Sequence, residues 1–126
     1  MGYEVQMLVG KVHKGFGVGK DFDKDWFQLY ATVDLCKPGD SALLDLSNAS
    51  EEKEIYTYAV MGDGDSSVTI DRYDAKLRPI RIQDALEALY TDQRKEHYRR
   101  FGWAIALLES MAHEEGGNLS VVLWGF

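Results

Sequence analysis

Pro79-Ile80-Arg81-Ile82-Gln83-Asp84-Ala85-Leu86-Glu87-Ala88-Leu89-Tyr90 is the stretch on which the reading of the fold turns. Ile82, Ala85, Leu86, Leu89 and Tyr90 recur at i, i+3, i+4, i+7 and i+8, one apolar stripe of a helix. Upstream of Pro79 the apolar residues follow a period of two, as strands do. Downstream, Thr91 and Asp92 offer a cap or a kink, and Tyr98, Phe101, Ile105, Leu108 and Ala112 continue a helical stripe. Residues 101–108 are apolar almost all round, which predicts a buried central helix with Ile105 and Leu108 nearly fully enclosed. His113 suits the last turn of that helix, and Gly116-Gly117 ends it.

Working outward, Leu119-Ser120-Val121-Val122-Leu123-Trp124-Gly125 reads as a final strand, apolar enough to lie inside a sheet rather than at its edge. Residues 3–13 read as a first strand and residues 26–36 as a second. In the second strand the alternation puts Phe27, Leu29, Ala31, Val33 and Leu35 on one face, and Trp26, Gln28, Tyr30, Thr32 and Asp34 on the other. Residues 14–25 form a loop around Gly15, Gly17 and Gly19, and Lys37-Pro38-Gly39-Asp40 forms a turn. Ala42 to Leu46 is a short apolar piece, and Ser47 to Lys53 is polar and exposed. Residues 54–61 and 67–73 are paired strands, joined through Gly62-Asp63-Gly64-Asp65.

Strands clustered before helices argue for an α+β fold. The expected architecture is a mostly antiparallel sheet of about five strands, with two consecutive helices on one face and a C-terminal strand returning to the sheet. No composition shift marks a linker, so residues 1–126 are read as a single domain.

Apolar residues make up 45% of the chain and charged residues 28%, ordinary values for a globular domain. The net charge of −7 is unevenly spread. Residues 1–75 hold seven basic and fourteen acidic side chains, residues 76–100 hold seven basic and four acidic, and residues 101–126 hold three Glu and no Lys or Arg. An acidic body argues against direct nucleic-acid binding and against an anionic membrane. Arg94, Lys95, Arg99 and Arg100 form a local basic segment, read as a helix face that pairs with that body. The lone thiol Cys36 fits a reducing compartment. The first fourteen residues lack an apolar run of signal-peptide length, so the expected location is cytoplasmic.

The chemical motifs fail one by one. Gly19-Lys20 is followed by Asp21 where a phosphate loop needs Ser or Thr. Asp21, Asp23 and Asp25 alternate like the start of a calcium loop, but Trp26 stands where glycine is needed and Thr32 where a bidentate Glu is needed. His13, His97 and His113 have no partners at metal-ligand spacing. Cys36 has no base near it in sequence. No cofactor, metal or catalytic residue is assigned, and a non-enzymatic role leads.

Aromatic residues are the more unusual feature. Trp26 and Tyr30 fall on the outer face of the second strand, Tyr56 and Tyr58 alternate on another, and Tyr73 ends the hairpin. With Asp21, Asp23 and Asp25 they would form an acidic and aromatic face for a partner protein with a basic surface. Small acidic α+β chains of this kind are common among inhibitors, immunity proteins and phage or bacterial accessory factors. The leading expectation is therefore a cytoplasmic binding or inhibitor-type protein acting as a homodimer. One alternative is a small-molecule binder or small enzyme, with a pocket between sheet and helices lined by His97, Arg99 and Arg100. Another is a DNA mimic.

Overall fold

A computed structural model describes residues 4–15, 24–38, 41–50, 55–58, 67–68, 76–92 and 98–125. Strands β1 (Val5–His13) and β2 (Asp25–Cys36) come first, followed by helix α1 (Ala42–Asn48). Two short strands, β3 (Ile55–Tyr58) and β4 (Ser67–Val68), come next. The two-residue strand β5 (Ile80–Arg81) leads directly into α2 (Ile82–Thr91). The long helix α3 (Arg99–Glu115), a 3-10 turn (Gly116–Asn118) and β6 (Ser120–Gly125) complete the order.

The sheet order is β4-β3-β2-β1-β6-β5. Along the run β2-β1-β6-β5 each strand is antiparallel to the next. The α+β class stands, and the described residues hold a third helix and a sixth strand beyond the expected numbers. β6 lies between β1 and β5, as its unbroken apolar character requires. β3 joins parallel to the start of β2, Asp25 beside Ile55 and Trp26 beside Tyr56. β4 pairs antiparallel with β3, and the turn expected at Gly62 to Asp65 lies outside the described residues.

Around β1 and β6 both faces of the sheet are buried, which is why these two strands show so little polar alternation. On one face Val5, Met7, Val9, Val121 and Leu123 meet Leu43 of α1, Ile82, Ala85 and Leu89 of α2, and Phe101, Ala104 and Leu108 of α3. On the other, Leu8, Phe27, Val122 and Trp124 pack with Ile55 and Leu77. The amide of Ile55 donates to the Leu77 carbonyl at 3.1 Å, tying the 76–79 segment over that second face.

The strict alternation expected along β2 does not hold. Its register against β1 slips between Val9 and Gly10 and again between Val5 and Gln6, leaving Tyr30 and Leu35 as extra residues. Each bulge shifts the alternation by one residue. Phe27 therefore packs in the second cluster, while Val33 and Leu35 pack under the helices. Gly10 sits opposite the first bulge, where an added Cβ would stand 1.9 Å from the Gln28 carbonyl oxygen.

The piece Ala42 to Leu46 is the start of α1. Ser41 is its N-cap, and its Oγ accepts the Leu44 amide at 3.2 Å. α3 also departs from expectation. Phe101, Ala104 and Leu108 are buried, but Ile105 is half-buried and Trp103 is 56% exposed. A helix lying on a sheet buries one stripe, and the residues flanking Trp103 in sequence already supply it.

Candidate functional site

Of the expected acidic and aromatic face, Trp26, Tyr30 and Asp25 are among the residues described with their side chains. Trp26 is half-buried, and its ring stacks on His13, its cross-strand neighbour, with centroids 5.1 Å apart and planes 25° apart. His13 Nε2 lies 2.8 Å from Gln28 Oε1, which fixes the imidazole beneath the indole. Trp26 Nε1 is buried and has no hydrogen-bond partner among the described residues. Tyr30 projects at the bulge, 45% exposed, beside Leu29 at 37%. Tyr56 and Tyr58 lie on β3, where only their backbone is described. Tyr73, Asp21, Asp23 and His97 lie outside the described residues altogether.

Asp25 is 3% exposed. Its Oδ1 accepts the Gly15 amide at 3.0 Å, and its Oδ2 lies 3.3 Å from Lys14 Nζ. A carboxylate held this way closes the turn after β1. Asp34 acts on its own stretch of backbone in the same manner. Its Oδ1 accepts the Cys36 amide at 2.7 Å, supporting Cys36 at a φ of 58°.

Arg99 is exposed at the start of α3. Arg100 folds back onto the sheet, donating from Nη1 to the Asp34 carbonyl at 2.7 Å and standing 3.6 Å from its Oδ2. Its guanidinium carbon lies 6.0 Å from the Trp103 ring centroid. Tyr98 donates its hydroxyl to the Leu35 carbonyl. These links anchor the first turn of α3 to the end of β2.

The exposed chemistry lies on the helices. A cleft of about 350 Å³ runs between α1 and α2, lined by Ala42, Leu46, Asp84, Glu87, Ala88 and Thr91. Asp84 is bridged to Arg81 at 3.2 Å, and Glu87 is exposed. On the other side of α2, Tyr90 is 44% exposed. A hydrogen bond to Glu109 of α3 raises the Tyr90 phenol pKa above its ordinary value, with smaller contributions from desolvation and the Glu109 charge.

The sequence pattern puts Tyr90 on the apolar stripe of α2 and Trp103 in a buried run, but both are exposed, because each helix buries a narrower stripe; Glu87 it does not single out. A signal for Trp103 is nonetheless present, since it lies opposite Phe101 on the helical wheel. The apolar run around Trp103 hides it.

Among the described residues no group of three His, Cys, Asp or Glu side chains is arranged to hold a metal ion. No helix among them is long and apolar enough to cross a membrane. Comparison of the chain with protein-family models, curated proteins and solved structures finds no match.

Proposed function

We propose that this is a non-enzymatic binding protein that engages a basic surface on a partner protein, in the manner of an inhibitor or accessory factor of the cytoplasm. The observation that carries the reading is the α1–α2 cleft, where the carboxylates of Asp84 and Glu87 border apolar Leu46 and Ala88. Lys and Arg side chains present an aliphatic stem beneath a cationic head, and such a cleft accommodates both parts. The net charge of −7 adds long-range attraction that speeds encounter with a basic partner. Leu29 and Tyr30 offer a second patch of contact area on β2.

The test is affinity capture from the native host on the immobilised chain, run with the wild type and with Glu87→Lys. The expected result is a protein of basic surface held by the wild type and lost by the variant. Its capture should weaken between low salt and about 0.15 M, where the screening length is about 8 Å. Equal capture by both chains, or a captured set that ignores salt, overturns the reading.

A further inference from the structure

We propose that the outer face of α3 is a contact between two copies of this chain, packed antiparallel about a two-fold axis near Ala106. Trp103 is the most exposed of the described large apolar side chains, at 56%. Arg99, Trp103, Ala106, Ser110 and His113 follow one another along the exposed stripe of the helix, with half-buried Gly102 beside it. Among the described residues, a Cβ built at Gly102 meets nothing within 4 Å. Glycine inside a helix weakens it relative to alanine. What it permits here is the close approach of something outside the chain.

Charge selects the occupant and its direction. The exposed basic residue Arg99 stands at the start of α3, and Glu109, Glu114 and Glu115 lie toward its end. An antiparallel pair centred on Ala106 brings Arg99 of each copy to the Glu114 end of the other, and Gly102 to Ser110. It also sets the helix dipoles head to tail. A parallel pair would oppose Arg99 to Arg99 and Glu114 to Glu114. Because each copy carries a net charge of −7, association needs such local complementarity. A stable interface covers about 800 Å² per partner, more than one stripe of a helix about 25 Å long provides. Tyr90, joined to Glu109, extends the apolar area from α3 onto α2. This contact uses residues distinct from those of the α1–α2 cleft, so the two proposals can fail separately.

The experiment is sedimentation equilibrium on the full chain over a wide concentration range, with folding of each variant checked by circular dichroism. The wild type should approach twice the monomer mass. Gly102→Leu and Trp103→Glu should remain folded, because a Cβ at Gly102 meets no described atom within 4 Å and Trp103 is exposed, and both should sediment as monomers. Arg99→Glu and Glu114→Arg should each weaken the dimer, and the double exchange Arg99→Glu/Glu114→Arg should restore it. A wild type that is monomeric throughout overturns the proposal. So does a dimer indifferent to Gly102→Leu and Trp103→Glu, or a double exchange that fails to rescue.

Discussion

Gly10 and Gly102 show how differently one residue type is used in this chain. At Gly10 a Cβ would stand 1.9 Å from a backbone carbonyl oxygen, which cannot move without parting β1 from β2. Gly10→Ala should lower the unfolding free energy by about 3 kcal/mol in a denaturant titration. At Gly102 the same methyl group enters open space, and Gly102→Ala should raise the stability of the dilute monomer by about 0.5 to 1 kcal/mol. Leu108, fully buried on the sheet-facing side of α3, should cost about 2 to 5 kcal/mol on truncation to alanine. Tyr90 gives a pH signature. Its phenol donates to Glu109 only while protonated, so the raised pKa marks a favourable contact present below the ordinary tyrosine pKa of about 10. That contact is lost as pH rises through the raised value. Glu109→Gln should bring the Tyr90 titration, followed by NMR of its ring carbon, back down.

Among the elements, the helices are most legible in the sequence where their stripe is regular. α2 begins at Ile82, and α3 ends at a Gly116 of φ 68°, both as the pattern requires. α1 escapes because its seven residues span barely two turns, too few for a period to declare itself. Its real signature is Ser41, and Ser41→Ala should cost about 1 kcal/mol in the same titration. The position of β2 along the chain is legible but its faces are not, because a bulge leaves no mark in the spacing of apolar residues. The candidate site is the least legible part. Trp26 and Asp25 carry the residue types of a binding surface, yet a cross-strand histidine and a neighbouring lysine turn them to structural work. Deletion makes the bulge testable. Removing Tyr30 leaves Leu29 opposite Gly10 and Ala31 opposite Val9, so every β1–β2 pair survives. Removing Thr32 forces a re-registration. Thermal unfolding should therefore show the Thr32 deletion to be the more damaging of the two.

At the scale of the molecule, one sheet separates two clusters of buried side chains, and β1 contributes to both. Leu8→Ala acts on one side and Leu108→Ala on the other. Their stability costs should add within about 0.5 kcal/mol, since no packing partner is shared. Both should shift a single cooperative transition. A double variant with two separated transitions would show instead that the faces unfold independently. The bulged strand has a consequence for colloidal behaviour as well. Nine residues of β1 are matched by eleven of β2, Trp26 to Cys36, and a ribbon longer along one border cannot lie flat. Among the described residues the outermost strands, β4 and β5, are two residues each. Fibril growth requires a long straight border on which further chains can stack. Val121-Val122-Leu123-Trp124, the segment best suited to seed such stacking, is paired along its whole length with β1, and its first residue also with Ile80 of β5, for as long as the chain stays folded.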